Sequence, residues 1–250
     1  MKEYGPKTFG KLYAERYDSL YDESMIEETR LSVETLAELA NGGKVLEFAI
    51  GTGRVALPLA ARGLSVHGIE ASEEMVAKMR EKPGGSDIPI TIGDMSETRV
   101  DETFDLIYLV FNTIFNLTTQ EAQMRCLQNA ARHLNPEGVF VIETVVPDFS
   151  EYVDDQQTRM RASWAKMDSA RFEIAIHDRV AQTITFQRII ISEDGTKMNP
   201  HYMRYVWPSE LDLMAKLAGL ELKERWAWWD RSPFTATSKS HISIYGHASG

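Results

Sequence analysis

Lys44 to Ile50 is an apolar run of strand length that passes through Gly51-Thr52-Gly53 directly into a helical stretch from about Arg54 to Ala61. Glycines at such a junction let the backbone turn tightly and let a ligand approach the main chain. The same grammar then repeats. Leu64 to Ile69 reads as strand and about Ser72 to Arg80 as helix. Ile88 to Ile92 and Phe104 to Val110 read as strands, about Gln120 to Leu134 as helix, and Val139 to Ile142 as strand. Upstream, helical periodicity covers about Gly10 to Tyr21 and about Met25 to Ala40, the second stopped by Asn41-Gly42-Gly43. Strands alternating with helices at this spacing predict a parallel sheet covered by helices on both faces, and the near-continuous apolar strands agree.

After Pro147 the pattern changes. About Arg171 to Ser192 is rich in β-branched residues, Glu193-Asp194-Gly195 supplies a hairpin-type turn, and a further strand lies near Tyr202 to Val206. Residues 148–205 are therefore expected to form an inserted antiparallel β cap over a substrate, and residues 1–147 and 206–250 the core domain. Pro208 opens a last helix, about Ser209 to Ala218, and the strands Leu220 to Trp229 and His241 to Tyr245 close the chain. The fold class this predicts is α/β: a Rossmann-like, doubly wound, mostly parallel sheet of seven strands, the last antiparallel, carrying the inserted cap.

The 250 residues suffice for one such domain with an insertion, at an ordinary 43% hydrophobic and 26% charged residues. A net charge of −10 with scattered basic residues argues against a nucleic-acid partner, whose binding rests on clustered Lys and Arg. The single cysteine, Cys126, leaves no internal disulfide framework and implies a reducing compartment. Met1 to Pro6 leads into charged residues without an apolar run of signal-peptide length, and no stretch approaches a membrane span. A cytoplasmic protein without a membrane partner is expected, and a homodimer is one assembly this reading allows.

Nineteen residues beyond Gly51, at the end of the second strand, stands Glu70, the position for a carboxylate that accepts from both hydroxyls of a ribose. A nucleoside-containing cofactor follows. Gly51-x-Gly53-x-x-Ala56 also meets a relaxed dinucleotide fingerprint, which keeps an NAD-dependent oxidoreductase as the rival, beside a non-catalytic cofactor-binding protein. Glu47 separates the first two: a carboxylate inside the first strand would repel a pyrophosphate but would pair with a methionine ammonium. Gly93-Asp94-Met95 follows the third strand, so Asp94 is placed to accept from an adenine amino group while Met95 packs on the ring. No lysine or arginine pair is present to suit a 2′-phosphate.

Val45 to Gly53, Gly68-Ile69-Glu70-Ala71-Ser72 and Gly93-Asp94-Met95 resemble the successive cofactor motifs of the class I S-adenosylmethionine-dependent methyltransferases. Phe104 to Ile107 and Leu134-Asn135-Pro136-Glu137-Gly138 resemble that family's later signatures, with Glu137 standing where a glycine is usual. Tyr13 to Asp18, the segment Phe111 to Leu117 and the β-rich insertion are similar to the amino-sugar N-methyltransferases and, in general plan, to glycine N-methyltransferase-like enzymes. The resemblance implies S-adenosyl-L-methionine as cofactor, a small-molecule acceptor methylated on N, O or C by in-line displacement in a closed pocket, and no metal. It implies cofactor contacts from Tyr17, Glu47, Ala49, Gly51, Gly53, Arg54, Glu70, Ala71, Asp94, Met95 and Val110. A nucleic-acid acceptor is further disfavoured because no Asn/Asp-Pro-Pro-aromatic sequence follows Val110.

Amino-sugar enzymes carry a histidine in the loop after the fourth strand; the aligned residue here is Asn116, which can orient a substrate but cannot take its proton at neutral pH. Glu143 near the end of the fifth strand and His177 in the insertion are the other catalytic candidates, with His201 and Asp230 behind them. Positioning supplies about 7–11 kcal/mol of a barrier, a general base about 10²–10⁴-fold, so a shaped pocket is expected to outweigh any base. Phe115, Trp229 and Phe234 are expected to border the acceptor, as aromatic rings suit a flat, apolar or cationic group.

Overall fold

The computed structural model describes residues 5, 7–18, 23–150, 152 and 157–248, without the side chains of residues 9, 16, 23 and 24. Its main sheet is built from β1 (Val45–Phe48), β2 (Val66–Glu70), β3 (Ile90–Ile92), β4 (Phe104–Leu109), β5 (Leu134–Val145), β10 (Leu220–Trp226) and β11 (Ser240–His247). The spatial order is β10-β11-β5-β4-β1-β2-β3. β1 through β5 are mutually parallel, and β11 runs antiparallel between β5 and β10. The sheet is the mostly parallel, doubly wound one that the alternation predicts.

Alternation along each strand sends side chains to opposite faces. Leu46, Phe48, Ile107, Leu109, Phe140 and Ile142 pack beneath α5 (Gln120–His133) and α6 (Pro208–Leu217). Val45, Leu106, Tyr108 and Val141 pack beneath α2 (Glu23–Ala40) and α3 (Ala56–Ala61). The helices start where the sequence provides caps: Ser72 accepts from Met75 N ahead of α4 (Glu73–Arg80), Thr119 accepts from Ala122 N ahead of α5, and Pro208 opens α6. The N-terminal segment folds as a short α1 (Thr8–Tyr13) and a 3₁₀ turn, Ala14–Arg16. The expected helix end near Tyr21 lies outside the described residues.

A second sheet is an antiparallel meander, β6 (Thr158–Ala165), β7 (Ser169–Asp178), β8 (Thr183–Ser192) and β9 (Gly195–Arg204). Glu193 and Asp194 form the hairpin turn between the pair Ser192 and Gly195. Two differences from the sequence expectation stand out. β9 begins at Gly195, well before Tyr202, and β6 carried no signal because its Arg, Ser and Ala residues lie largely exposed at a sheet edge. The two sheets are joined by buried Arg204, whose guanidinium donates to Glu210 at 2.7 Å and to Gln123, while Gln123 donates to Arg204 O at 2.8 Å.

Candidate active site

In open α/β sheets, ligands bind beyond the carboxyl ends of strands where the order reverses. Here that point is between β1 and β4, and cavities open there. The first is bounded by the turn Ala49 to Gly51, by Glu70 and Ala71 after β2, by Asp94 and Met95 after β3, and by Tyr17, Thr113 and Asn116. Gly51 has φ +59°, and a Cβ added to it would meet nothing nearer than Ala49 O at 3.9 Å, so the main chain is bare toward the cavity. Ala49 holds φ +55° despite its side chain, a local strain. Gly53 sits elsewhere: its φ is +80°, and a Cβ there would lie 2.9 Å from Leu57 and 3.0 Å from Met79. It serves the packing of the turn and does not line the cavity.

Glu70 accepts from Gly51 N and from Ser72 N, each at 2.9 Å, one bond per oxygen. Burial pushes its carboxyl up, and these backbone donors oppose that shift. Asp94 accepts from Ser96 N at 2.8 Å through Oδ1, and its Oδ2 takes no donor among the described residues. Met95 is 7% exposed, its carbonyl held by Asn129 Nδ2 at 3.0 Å.

An adjoining cleft runs between Glu47, Arg54 and Val110, with Tyr17 and Phe111 across it. Glu47 is buried, accepts from the Tyr108 hydroxyl at 2.7 Å, and is pushed up to about 8 by burial, with Tyr108 and Arg54 pulling the other way. Arg54 donates to Thr29 Oγ1 at 2.7 Å and lies 4.9 Å from the Phe111 ring centroid. Phe111 has φ +60°, rare for a bulky residue. Its N–H donates to Glu143 Oε2 at 3.0 Å. Glu143 is buried and its carboxyl is raised, first by burial and then by the neighbouring carboxylate of Glu28 on α2. It supports the Phe111 turn from behind and does not line the described cavities.

The N-terminal segment closes one wall. Gly10 passes so near the α4 cap that a Cβ would fall 2.1 Å from Ser72 Oγ, which lets α1 lie flat on that helix start. Asp18 accepts from Thr52 Oγ1 at 2.7 Å and pairs with Lys82 at 2.7 Å. Between these anchors Tyr17 faces the cavities.

A second cavity of about 360 Å³ continues from Tyr17, Thr113 and Asn116 under the meander, where Arg171, Phe186, Arg188, His201 and Met203 line it. His201 is pushed down to about 4 by burial and by Arg188. Asn116 borders both cavities.

Other sequence candidates are not brought here. His177 is buried in an aromatic cluster, stacked on Phe149 at 4.1 Å and bonded to the Tyr205 hydroxyl at 3.0 Å, and serves to dock the meander. Phe115 and Trp229 are 2% exposed and belong to the two halves of the core. Trp229 presents its carbonyl to Thr35 because the chain turns inward after β10. Phe234 packs edge-on to His241 at 5.8 Å, and Asp230 is exposed and accepts from Ser232 N. Among the described residues no group of three or more His, Cys, Asp or Glu is arranged to hold a metal ion, and no helix is long and apolar enough to cross a membrane. Sequence reasoning missed Tyr108, Glu28, Arg171 and Arg188. For the arginines the sequence offered little signal, since each is the one Lys or Arg of its strand, Arg171 in β7 and Arg188 in β8.

Comparison with known proteins shows what the chain as a whole is similar to. A family model described as a methyltransferase domain matches residues 45–138. The structure of the CcbJ methyltransferase from Streptomyces caelestis superposes with a TM-score of 0.89 at 34% identity, covering 98% of this chain and 100% of that one. Cypemycin N-terminal methyltransferase from Streptomyces sp is 27% identical over 241 residues, 90% of this chain and 97% of that protein. A dTDP-4-amino-2,3,4,6-tetradeoxy-D-glucose N,N-dimethyltransferase from Saccharopolyspora spinosa is 35% identical over 106 residues, 42% of this chain and 41% of that protein.

Proposed function

This chain belongs to the S-adenosylmethionine-dependent methyltransferases, and from that premise we propose that it methylates the amine nitrogen of a small natural-product molecule. The observation that carries the proposal is the continuity of the two cavities through Tyr17, Thr113 and Asn116: one is walled by acceptor oxygens, the other roofed by the meander. The amine is favoured by the relatives, whose names specify an N-terminal methyltransferase and an N,N-dimethyltransferase.

The donor set fits the cofactor. Each Glu70 oxygen keeps a lone pair beyond its backbone donor, which suits two ribose hydroxyls. The free Asp94 oxygen suits an adenine amino group, with Met95 and Ala71 beside the ring. Glu47 suits the methionine ammonium, and Arg54 the carboxylate, with Ala49, Gly51 and Val110 forming the wall. A wall of carboxylates favours hydroxyls and amines over a pyrophosphate, which is the physical case against a dinucleotide. Bound here, the cofactor supplies a methyl already activated by its sulfonium.

What remains for the chain is to position the amine and exclude water, the contribution worth about 7–11 kcal/mol. Asn116, at the junction, orients the acceptor through its amide and leaves the proton in place. Tyr17 closes the same junction from the N-terminal segment, and the meander of β6 to β9 covers the acceptor. A neutral amine held at Asn116 would need no base for attack on the sulfonium methyl, since the N–H proton of the ammonium it would become can leave to solvent after release. His201, held neutral, can accept a hydrogen bond from the acceptor.

The test is calorimetric titration with S-adenosylmethionine, its demethylated product and NAD, followed by mass-spectrometric screening of amines. Micromolar binding of the first two, none of NAD, and a gain of one methyl on an amine are expected. NAD binding without sulfonium binding, or methylation confined to oxygen or carbon acceptors, would sink the reading.

A further inference from the structure

The acceptor cavity is roofed by one face of the meander. Alternation along β7 puts Arg171, Glu173, buried Ala175 and buried His177 on that face. Cross-strand register adds Arg188 opposite Glu173, and Arg159 and Arg161 opposite Ala175 and Glu173. In a chain of net charge −10, this face thus carries four arginines and one carboxylate at these registered positions.

That carboxylate is already shared. Glu173 accepts from Arg159 at 2.8 Å and from Arg188 Nε at 3.1 Å. Arg171 meets no carboxylate among the described residues, and its Nε is buried with no acceptor. Arg171 as a whole is half-buried, but an Nε removed from water without an acceptor is costly, and a ligand that supplies an anion offsets that cost. Both Arg171 and Arg188 line the cavity, with Tyr17 and Asn116 at the opposite, cofactor end. The two ends therefore ask for different chemistry: a nucleophile at Asn116 and a negative charge at the roof.

Resting on the methyl-transfer reading, we infer that Arg171 and Arg188 form an anion subsite, so that the acceptor is an amine carrying a carboxylate or phosphate remote from its nitrogen. Arg171 makes the main contact. Arg188, held by Glu173, flanks it and sets the distance between anion and amine.

The probes are phenylacetate, phenyl phosphate and neutral phenylacetamide, titrated calorimetrically into the wild type loaded with S-adenosylhomocysteine, and into Arg171→Gln, Arg171→Lys and Arg188→Gln. The anions should bind at least tenfold more tightly than the amide. Arg171→Gln should remove that preference, Arg171→Lys should keep part of it as a point charge, and added salt should weaken only the anions. The tighter anion identifies the group. Equal binding of amide and anions, binding of none of them, or an undiminished preference in Arg171→Gln would overturn the subsite. S-adenosylmethionine affinity is measured separately on each protein. Its retention shows that the variants are folded. Its absence from the wild type would sink methyl transfer, leaving the anion comparison to be read on the free protein.

Discussion

The Tyr108 hydroxyl donates to Glu47 Oε2 at 2.7 Å, joining neighbouring strands at the floor of the cofactor cleft where both side chains are buried. This bond holds a carboxylate in an apolar sheet interior, at a residue that lines the cleft. Tyr108→Phe removes the donor and is expected to cost about 1–3 kcal/mol of stability by leaving a buried acceptor unsatisfied, read by urea denaturation. Affinity for S-adenosylmethionine should fall with it, because the carboxylate loses its fixed orientation.

Burial raises Glu47 from an ordinary 4.5 to about 8, and raises Glu143 as well. Between those values the native state holds protons that the unfolded chain has released. The stability these two groups confer is therefore complete below about pH 4.5 and is lost as pH rises toward 8. The free wild type should lose melting temperature over that range more steeply than the double variant Glu47→Gln, Glu143→Gln. A parallel profile in the two proteins would refute the assignment. Because an ammonium prefers the ionised carboxylate, cofactor affinity should rise over the same range.

Glu70 organises two backbone turns, accepting from Gly51 N and Ser72 N, and is proposed to hold the ribose. Glu70→Ala should weaken S-adenosylmethionine binding by at least about tenfold, or 1.4 kcal/mol, by calorimetry. Unchanged affinity would refute the ribose placement.

Ala49 at φ +55° sits where a side chain is strained and the cavity begins. Ala49→Gly should leave stability unchanged or raise it slightly. Ala49→Val should cost about 1–3 kcal/mol through backbone strain and should impair cofactor binding more than it impairs folding.

Buried Arg204 pairs with half-buried Glu210 and links the meander to α6, the side chains being 6% and 17% exposed. Arg204→Met alone should destabilise by about 1–3 kcal/mol, leaving Gln123 without its donor and Glu210 with only Gln120 and Gln182, and the double variant with Glu210→Leu should recover part of that loss. Hydrogen exchange should show the effect concentrated in β8, β9 and α6.

The sequence alone determined the parallel sheet, its turn at Gly51 and the loops after β2 and β3. Those features are local: strand-length apolar runs, helix caps and glycines each act within a few residues, and Glu70 could be found by counting from Gly51. It also marked residues 148–205 as different in kind, though without β6, whose exposed side chains leave no periodic trace. Tertiary structure decided what each side chain meets. Trp229 went to the core because the chain turns inward after β10, and His177 went to Phe149 and Tyr205 because register placed it on the docking face. Arg171 and Arg188 reached the cavity only through the cross-strand pairing of β7, β8 and β9. Glu28 came near Glu143 because α2 packs against β4, beside β5. Such encounters depend on register and packing between distant segments, and a one-residue shift in either would send the same side chain to the opposite face.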